Sequence, residues 1–133
     1  MSDIPEDLKY TPEHEYVRES DVEGEVFIGI TDYAQGELGD VVYVELPSPG
    51  EEFGQMEAFG TVEAVKTVSE LFCPAAGTIK AANEALEADP GVVNTDPYGD
   101  GWMIRLELDS PEDLDELLTA DQYAALVADA DDI

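Results

Sequence analysis

The sequence predicts a mainly β fold in which short strands pack as a sandwich or barrel, with short helices at the edges and two more at the carboxyl end. Three observations carry this prediction. Seven or so segments alternate apolar and polar residues with a period of two, the spacing that sends successive side chains to opposite faces of a strand. Glycine and proline clusters such as PSPGEEFG and PAAG separate several of them, and short strands at close spacing build sandwiches or barrels. Helix start and stop signals are confined to two places, one between strands and one at the carboxyl end.

In chain order, EYVRE and GEVFIGI are the first two strand segments. In TDYAQGELGD, Thr31 can cap a helix start and Gly39 can take the left-handed conformation past its end, predicting a helix from Asp32 to Leu38. VVYVEL, EAFGTVEAV, VSELFCP and GTIKAAN follow as strands. NEALEADPGVVNTDPYGDG is broken by Pro90, Gly91, Pro97, Gly99 and Gly101, so it reads as a loop with at most a helical turn at NEALE. GWMIRLEL has the cleanest alternation, with Trp102, Ile104, Leu106 and Leu108 on one face and Met103, Arg105 and Glu107 on the other. Ser110 then precedes Pro111 at a first helical position, and Thr119 precedes Gln122 as in a capping box. These signals predict helices over 111–118 and 120–128, burying Leu114, Leu117, Leu118, Tyr123, Leu126 and Val127. The final ADADDI has little to bury and is expected to fray.

The 133 residues read as one domain, 1–133, with a helical extension over about 110–128, and 44% hydrophobic residues supply a core. The chain holds 33 acidic and five basic residues, a net charge of −28. Apolar segments exclude a disordered acidic tail, so the charge lies on the surface. Such a surface repels itself in dilute buffer, and at ~1 M salt the screening length falls to about 3 Å; the composition points to a halophilic, salt-rich cytoplasm. It also excludes nucleic acid and anionic membranes as partners, because phosphate binding needs clustered Lys and Arg. No apolar run approaches a membrane span, and MSDIPEDLKY does not resemble a signal peptide. A monomer suits the reading.

Ordinary catalytic motifs are lacking. Cys73, the lone cysteine, reads as a small hydrophobe in a strand, and His14, the lone histidine, as a structural contact beside Glu15 in place of a proton shuttle. Carboxylates are too abundant for any pair to be informative. Lys66 is different: a rare cation inside the nearly uncharged run GTVEAVKTVS. An amide at its amine would remove the charge and make the flexible stem the base of a movable arm, so the protein would be a carrier. Such a lysine belongs at a hairpin tip. Val65, Lys66 and Thr67 are poor turn signals, and the residues alone read as one long strand, although a type I turn is permitted.

ITDYAQGELGDVVYVELPSPG, GTVEAVKTVSELFCPAAGTI and VNTDPYGDGWMIRL, with LKYTPEHEY and LLTADQYAAL, resemble the H protein of the glycine cleavage system over nearly the whole chain. VEAVK matches that family's lipoylation pattern. Biotin carriers instead flank their lysine with methionines, and oxo-acid dehydrogenase lipoyl domains place Asp before it. The resemblance implies a lipoyl-domain-like flattened barrel, a sandwich hybrid of two small sheets, with Lys66 on a hairpin. It implies lipoate covalently held by Lys66, with Glu63 part of the recognition sequence of a lipoate ligase or lipoyltransferase. It also implies a non-enzymatic carrier that takes an aminomethyl group from a pyridoxal-phosphate glycine decarboxylase. The carrier delivers the unit to an aminomethyltransferase using tetrahydrofolate and is reoxidised by a dihydrolipoyl dehydrogenase. The loaded arm would rest in a cleft at Glu13, Glu15, Thr67 and Glu70. Glu15 is the firmest match, since HEY follows the family's HEW, whereas Glu13 stands where a small hydroxyl residue is common and Glu70 where Asp is. Trp102 reads as packing, and Tyr98 and Gly99 as loop-shaping. Alternatives are a lipoyl donor for other lipoyl domains, a small enzyme built on Glu13, Glu15 and Glu70, and an unmodified acidic interaction domain.

Overall fold

A computed structural model of the chain describes residues 4–131. Among the described residues nine strands form two sheets. β1 (Lys9–Tyr10), β2 (Glu15–Glu19), β3 (Glu25–Ile30), β9 (Ile104–Leu108), β8 (Gly77–Ala82) and β5 (Glu52–Phe53) make a six-stranded sheet in the order β1-β2-β3-β9-β8-β5. β4 (Val41–Glu45), β6 (Ala58–Ala64) and β7 (Val68–Phe72) make a three-stranded sheet, β4-β6-β7. Every pairing is antiparallel. The inward residues of both sheets, including Ile28, Val62, Leu71, Ile79, Ile104 and Leu106, form one buried cluster. Two sheets with short helices match the expected sandwich; among the described residues neither sheet closes on itself as a barrel.

The seven expected strands are present. Two further strands, β1 and β5, are two residues long, too short to show a period. The alternation in GWMIRLEL holds only from Ile104, where β9 begins. Met103 is fully buried, its N–H donating to the Ile28 carbonyl, while Trp102 is half-buried and packs edge-on against Phe27. Strand alternation does not extend into the preceding turn, and the faces of these two residues are exchanged.

Helix α1 (Asp32–Leu38) has the expected bounds. The Thr31 hydroxyl accepts from the Ala34 N–H, and Gly39 at φ 83° donates to the Gln35 carbonyl. Short turns α2 (Ala85–Ala88) and α3 (Val92–Thr95) follow; α3 was not expected, and it forms because Val93 is fully buried. Residues Pro111–Glu116 form a 3-10 helix, shorter than the expected helix over 111–118, and Ser110 makes no side-chain cap. Leu117 turns extended and Leu118 exchanges two backbone bonds with Tyr10, so the chain leaves the helix to pair with β1. Helix α4 (Ala120–Asp131) starts with the reciprocal box expected, Thr119 N–H to Gln122 and Gln122 N–H to the Thr119 hydroxyl. It runs past the expected end at 128; of the segment expected to fray, residues 132–133 lie outside the described residues. Tyr123 and Val127 of α4 join Leu8, Tyr10 and Tyr16 in a second buried cluster, where the Tyr10 and Tyr123 rings stack at 4.6 Å.

Candidate functional site

Strands β6 and β7 pair from Ala58↔Phe72 to Glu63↔Val68, and the Ala64 N–H donates to the Thr67 carbonyl at 2.7 Å. Val65 and Lys66 are therefore the two central residues of a tight hairpin turn, and neither takes a positive φ. The local residues favoured continuing the strand; register and the Val65 N–H bond to the Asp40 carbonyl close the turn instead. Lys66 is exposed. Among the described residues no carboxylate lies within ion-pair distance of its Nζ. Its stem crosses Gly39, where an added Cβ would meet Cε at 3.3 Å and Nζ at 3.8 Å. Asn94 fixes that floor: its amide donates to the Gly39 carbonyl and to Gln35, and its oxygen accepts from the Val41 N–H.

Beside the hairpin a cleft of ≈ 250 Å³ is lined by Glu13, His14 and Glu15 from the β1–β2 turn and the start of β2, by Ile30, by Tyr33, Ala34, Glu37 and Leu38 on one face of α1, and by Val62, Ser69, Glu70 and Leu71. Three expected residues, Glu13, Glu15 and Glu70, thus meet in one cleft. Thr67 is exposed at the turn and is not among the lining residues. Glu63 lies on the opposite side of its strand from Val62, between Tyr43 and Val68, so it does not face the cleft.

Glu15 is far from a solvated surface charge, being 1% exposed. Its Oε1 accepts from the Thr11 hydroxyl at 2.7 Å and its Oε2 from the Phe72 N–H at 3.3 Å. Desolvation outweighs those two bonds and pushes its carboxyl up to about 7, with Glu13 adding to the rise. A turn with His14 at φ 72° holds it: the Thr11 hydroxyl accepts from the Glu13 and Glu15 N–H groups, and the Thr31 N–H donates to the His14 carbonyl. His14 Nδ1 lies 2.7 Å from the Tyr123 hydroxyl, which lies 2.7 Å from the Thr31 hydroxyl that caps α1. Burial lowers the His14 pKa, against the pull of Glu13 and Glu37. His14 thus ties α4, α1 and the cleft turn together, as a structural contact does.

Sequence reasoning missed Thr11, Tyr33, Glu37 and Ser69. Of these only Thr11 left a trace, a hydroxyl residue four positions before Glu15 in the turn segment TPEHE. Tyr98 shapes its loop as expected and does more, since its hydroxyl accepts from the Asp32 N–H at the start of α1. Cys73 is buried just beyond β7, not within it, and its thiol, pushed up to about 11 by desolvation, donates to the Ala75 carbonyl. Among the described residues no group of three metal-ligating side chains assembles.

An exposed lysine thus stands on a two-residue hairpin beside a cleft lined by carboxylates, among them Glu13, Glu15 and Glu70. The family model "Glycine cleavage H-protein" matches residues 8–130. The chain belongs to the glycine cleavage H-protein family. It is a carrier component of the glycine cleavage system. Among curated H proteins, that of Salinibacter ruber is 57% identical over 122 residues, covering 92% of this chain and 97% of that protein. The Symbiobacterium thermophilum H protein is 53% identical over 94% of this chain and 96% of its own length. The crystal structure of the Mycobacterium marinum H protein superposes with a TM-score of 0.85 at 41% identity, covering 94% of this chain and 99% of that one.

Proposed function

We propose that Lys66 is where lipoate is attached, and that the whole chain, residues 1–133, acts as one unit that carries a one-carbon amine without catalysing its chemistry. The observation that carries this reading is the placement of Lys66, exposed at a hairpin tip, free of any described carboxylate partner and beside the cleft. The residues fit the group. A lysine stem at a tight turn gives a long arm, and Ile30, Ala34, Leu38, Val62 and Leu71 give the adjoining cleft an apolar wall for an alkyl chain. When bound, lipoate supplies a disulfide that can accept a one-carbon unit and be restored by oxidation.

The chain's own residues bind, shield and release the cargo. A cargo ammonium entering the cleft meets Glu13, Glu15 and Glu70. Glu15 holds its proton more tightly than a free carboxyl does; an arriving cation lowers that affinity, so the proton leaves and a charge-assisted bond forms. The apolar wall meanwhile excludes water from the adduct. Thr67 serves the turn, and Glu63, on the outer face, serves recognition by the attaching enzyme.

The partners are a pyridoxal-phosphate glycine decarboxylase, an aminomethyltransferase using tetrahydrofolate, a dihydrolipoyl dehydrogenase, and a lipoate ligase or lipoyltransferase. The chain works as a monomer in a halophilic, salt-rich cytoplasm, a reading supported by its net charge of −28, and engages neither nucleic acid nor membrane. Peptide mass spectrometry of protein from glycine-grown native cells should find Lys66 acylated. In a reconstituted system Lys66→Arg, which keeps the charge and removes the acylable amine, should abolish glycine-dependent release of carbon dioxide; retained release overturns the assignment.

A further inference from the structure

His14 is the chain's only histidine and the one cleft-lining residue able to carry a positive charge. Four carboxylates share that cleft: Glu13 and Glu15 beside it in sequence, Glu37 on α1 and Glu70 on β7. The imidazole packs against two tyrosine rings, Tyr33 of α1 at 5.1 Å and Tyr123 of α4 at 5.7 Å, and its Nδ1 lies 2.7 Å from the Tyr123 hydroxyl. Tyr123 is buried and is not among the lining residues, so it reaches the cleft through its neighbours.

Hydrogen-bond capacity decides which ring nitrogen carries the hydrogen. Thr31 is fully buried. Its hydroxyl oxygen accepts from the Ala34 N–H, and the one acceptor for its hydrogen among the described residues is the Tyr123 oxygen, 2.7 Å away. Thr31 therefore donates to Tyr123, which leaves the Tyr123 hydrogen for His14 Nδ1. An Nδ1 that accepts is unprotonated, so the ring carries its hydrogen on Nε2. An imidazolium would reverse the chain: Nδ1–H would donate to Tyr123 and Tyr123 to Thr31, and the buried Thr31 hydrogen would have no acceptor. Burial opposes the charged ring as well, against the pull of Glu13 and Glu37.

We propose that Thr31 and Tyr123 hold His14 as a neutral imidazole with its hydrogen on Nε2, and that Tyr123 is thereby a positioning residue for a cationic cargo in the cleft. The proposal rests on the carrier reading above. A charged His14 beside Glu13 and Glu37 would cancel part of the field that draws an ammonium group in, and would repel that group directly. Held neutral, it leaves all four carboxylates to the cargo. The other titratable groups packed against the ring, Tyr33 and Tyr123, are phenols, and burial raises that of Tyr123 further above its ordinary value.

A lone histidine makes the test direct, because nitrogen NMR of ring-labelled protein shows one pair of imidazole signals. In wild type these should report hydrogen on Nε2 and a midpoint below 6.5, the ordinary histidine value. In Tyr123→Phe the midpoint should rise by about one unit, equal to tenfold in proton affinity. The second readout is hydrolysis of the aminomethyl adduct on lipoylated protein, loaded with glycine and purified glycine decarboxylase and followed as released ammonia. Taking the ratio of variant to wild-type lifetime removes the titration of Glu15, which both proteins share. That ratio should fall about tenfold between about pH 8 and about pH 6, as His14 of the variant gains its charge. Asn suits the φ of 72° at position 14 and cannot become a cation, so in Tyr123→Phe/His14→Asn the pH dependence of the ratio should vanish. Wild-type signals with hydrogen on Nδ1, or a midpoint above 6.5, overturn the lock, and they do so even if Tyr123→Phe fails to fold. A ratio that is flat with pH in Tyr123→Phe, or a pH dependence that survives the Asn substitution, overturns the positioning role alone. Wild-type protein that takes up no lipoate at Lys66 overturns the carrier reading and the positioning role with it, while the imidazole signals still decide the lock.

Discussion

Replacing Glu15 by Gln keeps the size of the side chain and removes its ability to ionise. In the folded protein its carboxyl, 1% exposed, is pushed from 4.5 up to about 7, with desolvation the largest cause. In the unfolded chain it ionises near the lower value. Between the two, unfolding releases a proton that the native state holds, so stability falls as pH rises. The contribution of the neutral, bonded Glu15 is fully present below pH 4.5 and is lost by about pH 7. A separation of that size corresponds to about 3 kcal/mol, a large share of a small domain's total stability.

The assay is urea unfolding of both proteins in molar KCl at a series of pH values from about 4 to 8. The remaining carboxylates titrate in both proteins and cancel in the difference. The intercept mixes in altered bonds to Thr11 and the Phe72 N–H, so the slope carries the test. From low to high pH the difference should move by about 3 kcal/mol in favour of Glu15→Gln, about 1.4 kcal/mol per pH unit within the window. A difference that stays flat refutes the claim that burial sets the ionisation of Glu15.

The same variant, once lipoylated and loaded, should lose its aminomethyl group faster than wild type in a timed ammonia-release assay; an unchanged lifetime removes Glu15 from the cleft's work. Transfer from molar KCl to dilute buffer should lower the melting temperature, because self-repulsion at −28 is then unscreened, and an unshifted transition measured by circular dichroism contradicts the salt-rich habitat. Tyr123→Phe strips the shared hydroxyl from His14 and Thr31 and should cost about 1–3 kcal/mol in urea unfolding. Gly60→Ala drives a Cβ into the Glu45 carbonyl on the neighbouring strand and should lower stability by more than about 2 kcal/mol by the same measurement; a neutral result would show that β4 yields more easily than its register indicates.

Elements that announce themselves through local chemistry were legible. Thr31 and Gly39 bracket α1, and Thr119 with Gln122 opens α4, because a cap is a bond between neighbours in sequence. Lys66 stands out in the sequence through rarity and motif, and its role as attachment point is the proposal made above. What the residues alone did not contain was decided by distant partners. Leu118 leaves its helix for Tyr10, and His14 finds a hydroxyl 109 positions away. The turn at Val65–Lys66 closes because β7 pairs back on β6, which no property of Val65 demands. Burial of Glu15 was invisible for a related reason: in a chain with 33 acidic residues, no pattern distinguishes the one carboxylate that Thr11 and Phe72 draw inward.

The resting place of Lys66 would give the proposed modification a mechanical consequence. Its stem lies over Gly39 at the carboxyl end of α1, a helix with no basic residue in its last turn. Carbonyls at that end carry partial negative charge, and a cation beside them is favoured by about 0.3–1 kcal/mol. With no described carboxylate within ion-pair distance, this weak attraction and the contact with Gly39 are what hold the free amine. The proposed acylation would neutralise Nζ and remove the attraction at the moment the arm is built. With no described carboxylate to hold its base, an arm built on Lys66 as proposed would be free to leave Gly39 and follow its cargo.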